Sequence, residues 1–172
     1  MEKEKSNENR IFAAMDYMFR GIDPEQRDKI KGSAEDKVDI ESLLEDKNQF
    51  VPSNRFYTRN SGKIEYIQDE MKSTLGKLKL LHEIAHKKLK HSGRASDKEN
   101  LENERVAWLC AVESLKKLGL EIDNNLASEI IKYFDTYKKQ IERKSVCIAC
   151  GSKNTEEFAP QHYTCKDCYC DW

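Results

Sequence analysis

The sequence predicts a mixed α+β fold that is mostly helical, with a small β-hairpin in mid-chain and a compact cysteine-rich module at the C-terminus. Apolar residues recur at helical spacing through most of the 172 residues. Only seven glycines and three prolines are present, which argues against a turn-rich all-β architecture. Five of the six cysteines lie in the last 26 residues. A chain of this length has room for one core of ordinary size and a small module beside it.

The composition is that of a folded protein without a membrane segment. Charged residues make up 35% of the chain and hydrophobic residues 38%, while the formal net charge is only -1. Nearly balanced charge and aromatic side chains exclude a typical disordered chain. No apolar run approaches the roughly 20 residues of a membrane helix, and the first ten residues lack the apolar stretch of a secretory signal. We therefore expect a cytoplasmic protein, whose cysteines bind metal instead of forming disulfides.

The small net charge conceals an uneven distribution along the chain. Residues 71–95 carry seven basic side chains and one acid, Glu83, for a net charge of +6, whereas residues 1–70 have a net charge of -4. Two interpretations remain open. The basic segment is either a solvated helix face or a surface that attracts an acidic peptide or nucleic acid.

The N-terminal region, residues 1–48, is expected to be helical. A first helix is predicted over residues 7–20, with Gly21 at its end. Its apolar residues fall at helical spacing: Ile11, Phe12, Met15, Met18 and Phe19. A short polar helix is expected to start at Asp23, and residues 33–36 are typical of a capping sequence before another helix.

Residues 49–144 are predicted to form the core of the protein. Between residues 49 and 68 the pattern changes from helix to strand, and two strand-like runs flank Asn60-Ser61-Gly62, which indicates a hairpin. Three longer helices are predicted to follow, over residues 73–89, 97–118 and 123–143. Gly119 ends the second of them, and Asp123 is the expected cap of the third.

A chemically distinctive motif lies in the first of these longer helices, where residues 82–86 read His-Glu-Ile-Ala-His. This is the H-E-x-x-H pattern. His82 and His86 are four residues apart, so they share one helix face and can reach one zinc ion. Glu83, beside them, can serve as general base toward a water on that ion. The alternative is an exposed helix whose histidines have no function, but the apolar residues around the motif favour a packed helix.

A catalytic zinc site of this kind needs a third protein ligand, and the residues leave several choices open. The metzincin pattern fails, because the positions three and six residues after His86 are Leu89 and Ser92 instead of glycine and histidine. On a continuous helix His91 would face elsewhere, so a carboxylate from the next helix is expected. The candidates are Glu99, Glu102, Glu104 and Glu113. Glu104 shares its face with small alanines, which would let the two helices approach closely.

These segments resemble the ImmA/IrrE family of gluzincin-like metallopeptidases. The resemblance rests on the H-E-x-x-H helix and on residues 104–111, which read Glu-Arg-Val-Ala-Trp-Leu-Cys-Ala, and it covers about residues 55–120. The family carries E-x-x-A on the helix after H-E-x-x-H, often continued to Phe-Ala, where this chain has Cys110-Ala111. The resemblance implies a zincin-like core preceded by strands, with Glu104 as third zinc ligand. It also implies a protein substrate, commonly a helix-turn-helix repressor, and an origin in a phage or integrative element.

Residues 145–172 carry two C-x-x-C motifs with 14 residues between them, a spacing typical of a zinc ribbon. The predicted ligands of one structural zinc ion are Cys147, Cys150, Cys165 and Cys168. Four thiolates close the coordination shell, so this site is expected to stabilise a module too short for its own core. Cys170 is interpreted as a bystander, or as a replacement for Cys168. Cys110 is expected to be a small buried hydrophobe.

The role of the ribbon stays open between three interpretations. It could dock a protein, act as a stability cap, or bind nucleic acid through its aromatic side chains. Those side chains are Tyr163, Tyr169 and Trp172. The module has a net charge of -2, which disfavours binding to phosphate groups.

The sequence as a whole predicts a zinc-dependent endopeptidase that cleaves a cytoplasmic protein partner, a transcriptional repressor or another regulator. Its catalytic site would consist of His82, Glu83, His86 and Glu104. One alternative is a zinc protein that sequesters its partner as an antirepressor without cutting it. Another is a DNA-associated protease resembling the SprT type. That type uses a third histidine downstream, and no histidine lies between His91 and His162.

Overall fold

The computed structural model describes residues 2–20, 22, 25, 40–91 and 95–172, and its fold is mixed α+β and mostly helical, as predicted. The helices are α1 (Glu2–Arg20), α2 (Ile40–Glu45), α3 (Thr74–Lys88), α4 (Asp97–Lys117) and α5 (Asn124–Lys144), with a 3₁₀ turn over Gln68–Lys72. Gly21 and the capping sequence at residues 33–36 lie outside the described residues, as does the polar helix predicted from Asp23 except for Glu25. Among the described helices, none combines the length and the apolar character that a membrane crossing requires.

Capping residues explain where the long helices begin. Ser73 caps α3, and its hydroxyl accepts a hydrogen bond from the first turn at 3.0 Å. Ser96 and Glu99 form a reciprocal capping box at the start of α4. Asp123 caps α5, as predicted, by accepting a backbone hydrogen bond at 2.7 Å. Because these caps fix the start of each helix, they also fix the directions in which the side chains of α3 and α4 project.

A three-stranded sheet precedes α3. Its strands are β1 (Phe50–Pro52), β2 (Tyr57–Thr58) and β3 (Ile64–Tyr66), in the order β1-β3-β2. The predicted hairpin corresponds to the antiparallel pair β2 and β3, with Gly62 in the left-handed region at φ 79° between them. The pattern did not indicate β1, which pairs with β3 in parallel and is only three residues long. Strand β2 lies at one edge of the sheet, beside α3.

The hydrophobic core is centred on the packing of α3 against α4. Small residues lie at this contact, since Ala85 of α3 and Ala107 and Ala111 of α4 are almost completely buried. Cys110 is also buried, as expected. Helix α1 packs against α5 and adds Met15, Met18 and Phe19 to the same core. The close approach of α3 and α4 brings the histidines of α3 next to one carboxylate of α4, that of Glu104.

The C-terminal residues form a second sheet of two antiparallel strands, β4 (Thr155–Ala159) and β5 (His162–Cys165). The turn between them contains Gln161 at φ 62°. This hairpin is joined to the helices at the start of α4: the Tyr163 hydroxyl donates to the buried Asp97 carboxylate, and Glu157 accepts from the Asp97 backbone N–H at 3.0 Å. The division of the chain into residues 1–48, 49–144 and 145–172 stays a prediction.

Two of the three aromatic side chains considered for nucleic-acid stacking face the protein. Tyr163 is buried and its ring stacks on that of Trp172, with 5.9 Å between the ring centres. The Trp172 indole N–H donates to the Lys144 backbone carbonyl at the end of α5, at 2.9 Å. Only Tyr169 of the three is largely exposed. Tyr163 and Trp172 therefore attach the module to the helices.

Candidate metal sites and the adjoining cleft

Helices α3 and α4 bring the two motif histidines and one glutamate together. The Nε2 atoms of His82 and His86 lie 3.0 Å apart, one helical turn from each other. The carboxylate of Glu104 lies 3.2 Å from the first and 3.3 Å from the second. These three side chains form a group that could hold one metal ion. The structure therefore brings together all three ligands predicted for the catalytic site.

The other candidate ligands are held elsewhere. Glu99 is the capping-box residue of α4 and accepts from the Ser96 backbone N–H at 2.9 Å. Glu102 and Glu113 each form an ion pair with a basic residue three positions later in the same helix. His162 is exposed on β5. Of the carboxylates considered on α4, Glu104 alone faces the histidines.

Packing holds the His82 ring in place. The ring is buried and stacks on the Trp108 indole, with 4.1 Å between the ring centres and 28° between the planes. Its Nδ1 atom has no hydrogen-bond partner among the described residues. Trp108 lies one turn after Glu104 on α4, so the same helix supplies a ligand and the surface that orients another. This rigidity is what a metal site on a helix requires.

Electrostatics keep Glu104 ionised. Burial between the helices acts to raise its pKa, but the hydrogen bonds from His82 and His86 outweigh this and hold the pKa of the carboxyl well below its usual range. Glu104 is therefore a carboxylate at neutral pH. A charged carboxylate between two imidazoles is a donor set suited to a divalent cation.

His91 does not face away from the site, contrary to the expectation from a continuous helix. Helix α3 ends at Lys88, and Lys90 adopts a left-handed conformation at φ 55°, which turns the chain back. The Nδ1 atoms of His91 and His86 then lie 2.9 Å apart. Burial, together with the charge of His86, lowers the pKa of His91 to about 4. A neutral His91 thus contacts the His86 nitrogen that points away from the donor set.

Glu83 is held by the edge strand of the sheet. The Thr58 hydroxyl lies 2.8 Å from Glu83 Oε2 and 2.9 Å from the Glu83 backbone carbonyl, so it can donate to either oxygen. This contact joins β2 to the motif helix across 25 residues of sequence. The sequence offered no local signal for Thr58. The hydrogen bond restricts the carboxylate to the side of α3 that faces the cleft.

Two cavities meet at this group of residues. The larger, of about 780 Å³, lies between β2, the end of α3 and the first half of α4, and Gln161 of the C-terminal hairpin lines it as well. The smaller, of about 360 Å³, has aromatic walls. Glu83, Glu104 and Tyr137 line both. Burial and the nearby charges of Glu104 and Asp97 raise the pKa of Tyr137 to about 12. Its hydroxyl therefore keeps its proton and can act as a hydrogen-bond donor.

The four predicted cysteine ligands also come together. The Sγ atoms of Cys147 and Cys168 lie 3.6 Å apart, as do those of Cys150 and Cys165. All four are free thiols and form a group that could hold a metal ion. Burial acts to raise the pKa of Cys147, but backbone N–H groups that point at its sulfur bring the pKa down to about 6.

Cys170 is not part of this group. Its thiol donates to the Asp171 carbonyl at 3.6 Å, and its backbone carbonyl accepts from Cys165 N at 2.9 Å. The interpretation of Cys170 as a bystander is the one that the geometry favours over the replacement of Cys168.

The described residues thus contain two groups with the chemistry of metal sites, one with an adjoining cleft and one formed by four thiols. The first combines two imidazoles, a carboxylate, an adjacent glutamate and a protonated tyrosine. The second offers thiols alone. Comparison of the chain with models of protein families, with curated proteins and with solved structures finds no match.

Proposed function

We propose that the protein is a zinc-dependent endopeptidase with a zincin-like core of the ImmA/IrrE type and a C-terminal zinc ribbon. His82, His86 and Glu104 would hold a catalytic zinc ion, and Cys147, Cys150, Cys165 and Cys168 a structural one. The observation that carries the proposal is the convergence of two Nε2 atoms and a carboxylate at 3.0 to 3.3 Å beside Glu83, at the junction of two cavities.

The separations between donor atoms support zinc in both sites. Zinc bonds to nitrogen and oxygen of about 2.0–2.1 Å place tetrahedral ligand atoms about 3.3–3.4 Å apart. The three distances between His82, His86 and Glu104 are close to this value. Zinc–sulfur bonds of about 2.3 Å place thiolates about 3.8 Å apart, near the 3.6 Å between the cysteine sulfurs. Three protein ligands leave an open position in the first site, whereas four close the second.

A peptide is the substrate that the cleft favours. Strand β2 pairs with β3 on one side only, and its other side adjoins the larger cavity. An extended peptide can add to such an edge through backbone hydrogen bonds. The resemblance to ImmA/IrrE proteins suggests a regulator of transcription, such as a helix-turn-helix repressor, as the protein that is cleaved in the cytoplasm.

The residues around the site have distinct parts in the proposed reaction. A zinc ion held by His82, His86 and Glu104 would supply Lewis-acid activation of a water molecule and of the peptide carbonyl. Glu83 would act as proton acceptor toward the attacking water and as proton donor to the leaving amine, with its carboxylate held in position by Thr58. Tyr137 has a protonated hydroxyl in the wall of both cavities, where it can donate to the carbonyl oxygen as negative charge develops.

The experiment that tests this function is a digestion of a pool of synthetic decapeptides of mixed sequence by the zinc-loaded protein, with products identified by mass spectrometry. We expect internal cleavage that stops when a chelator removes the metal and returns when zinc is restored. Intact peptides after prolonged incubation with the zinc-loaded protein would contradict the endopeptidase and favour the antirepressor interpretation.

His91 is expected to act as a positioning residue through its contact with His86. Partners of the second imidazole nitrogen orient a metal-bound histidine, and their loss typically lowers metal affinity about 10- to 100-fold. We expect His91→Ala to weaken zinc binding at the histidine site by about that factor, and His91→Asn to recover part of the loss. Competition with a chromogenic chelator measures both. His162→Ala, a change at an exposed histidine, is the matched control, and equal affinities in all variants would exclude the positioning role.

A further inference from the structure

The two cavities that meet at the candidate active site differ in chemistry, and the difference bears on which peptides fit. Glu83, Glu104 and Tyr137 line both cavities, so a chain that crosses the site places side chains in one cavity before the cleaved bond and in the other after it. The inference developed from this rests on the proposed endopeptidase function.

The larger cavity is lined by three basic side chains, Arg59, Lys87 and Lys90. Lys87 donates to the neutral Gln49 amide at 2.5 Å, and Lys90 is exposed. In the described part of the chain, no acidic side chain forms an ion pair with either lysine. Arg59 shares the buried Glu65 carboxylate with Arg55, so that cluster retains one net positive charge.

Two acidic side chains also line this cavity. They are Glu83 and Glu104, and Glu104 is hydrogen-bonded between the two site histidines. The rest of the lining contains neutral amides, contributed by Asn60, Asn100, Asn103 and Gln161. Apart from these two acids, the lining presents positive charge and hydrogen-bond donors, which suit a carboxylate.

The smaller cavity is aromatic. Phe56, Trp108 and Tyr133 line it, and the rings of Trp108 and Tyr133 stack with 5.8 Å between their centres. Lys79 also lines it, but this ammonium pairs with Glu70 at 2.8 Å and is mostly covered. Such walls favour an apolar or aromatic side chain over a charged one.

We propose that the cleft selects peptides with an acidic side chain on one side of the cleaved bond and an apolar side chain on the other. The acid would bind near Lys87 and Lys90, and the apolar residue between Phe56 and Tyr133. Positions within about three residues of the bond are the ones that cavities of this size can reach.

The test uses the decapeptide pool with wild-type protein and with the double variant Lys87→Glu/Lys90→Glu. For the wild type we expect Asp and Glu to be enriched about fivefold over Lys and Arg on one side of the cleaved bonds. This factor corresponds to a difference of roughly 1 kcal/mol in binding free energy. On the other side, Leu, Phe and Tyr should be enriched. The double variant should lose the acidic preference or reverse it, while the apolar preference stays. Lys138→Glu, at an exposed lysine outside both cavities, controls for charge change and should leave both preferences unchanged.

Cleavage by the wild type without an acidic preference would overturn the selectivity and leave the endopeptidase intact. An acidic preference that persists in Lys87→Glu/Lys90→Glu would also overturn it. No cleavage by the zinc-loaded wild type would contradict the proposed function, and the selectivity with it. Loss of all cleavage in the double variant, with zinc content and helical circular dichroism unchanged, would contradict the selectivity, because these lysines are placed outside the reacting groups.

Discussion

Glu83→Gln is expected to reduce peptide cleavage by about 10²- to 10⁴-fold, the usual contribution of a general base. The amide keeps the size of the carboxylate and can still accept from Thr58, but it cannot take a proton from water. Glu83 is not in the donor set of His82, His86 and Glu104, so the variant should bind zinc as the wild type does. The measurement is the initial rate at which each protein cleaves one decapeptide from the pool, together with the zinc content of the same preparation.

Glu113→Gln provides the matched control, since it makes the same change on α4 at a residue that pairs with Lys116 and lines neither cavity. Its rate should equal that of the wild type. Cleavage by Glu83→Gln at the wild-type rate would show that Glu83 does not act as the general base. If the protein inactivates its partner in cells equally well with Glu83→Gln, sequestration becomes the better explanation of its action.

Cys147→Ser/Cys168→Ser is expected to lose one zinc ion per chain and the fold of the C-terminal hairpin. Residues 145–172 form only a two-stranded sheet, and a module of this size depends on its metal for stability. Limited proteolysis should cut the variant within this segment while the helices persist. The contacts of the hairpin with Asp97, at the start of α4, would be lost as well. Because Glu104 lies two turns further along that helix, we also expect weaker zinc binding at the histidine site.

Cys170→Ser is the control for this prediction, because its thiol lies outside the cysteine group. It should retain full zinc content and resist proteolysis. If the double variant keeps its zinc content and the protease resistance of the hairpin, the four cysteines do not form a structural metal site.

The parts of the candidate site that the sequence predicts are those governed by local periodicity. His82 and His86 share a face because four residues make about one helical turn. Each C-x-x-C motif likewise places two cysteines close together in the chain, whereas the sulfur pairs at 3.6 Å join the two motifs across the β4–β5 hairpin. The alanines that share a face with Glu104 indicate a close approach of α3 and α4, and Ala107 and Ala111 are indeed buried at that contact. The choice of Glu104 over the other carboxylates, however, depends on the resemblance to ImmA/IrrE proteins.

The residues that the sequence did not reveal act through contacts between distant segments. Thr58 lies on strand β2 and contacts Glu83 only because this strand packs against α3. Tyr137 enters both cavities from α5, whose position depends on the whole core. His91 was misjudged for a different reason: periodicity assumes a continuous helix, whereas the left-handed Lys90 breaks it. Strand β1 has only three residues, too few for an alternation of apolar and polar side chains to be recognised in the sequence.

The charge of the basic segment does not by itself show where its charged side chains lie in the structure. Residues 71–95 contain six lysines and one arginine. Of these lysines, Lys87 and Lys90 line the larger cavity, while Lys79 lines the smaller one and pairs with Glu70. A charge sum cannot separate these cases, because it ignores which helix face each side chain occupies. The proposed preference for an acidic residue in the substrate rests on the two lysines of the larger cavity.

The most direct test of the central claim is the zinc content of the purified protein by elemental analysis, for the wild type and for His82→Ala/His86→Ala. A catalytic and a structural site together predict two zinc ions per wild-type chain and one per chain of the double variant, since the cysteine group is untouched. One zinc ion in both proteins would show that the histidines and Glu104 hold no metal, and would contradict the proposed zinc endopeptidase.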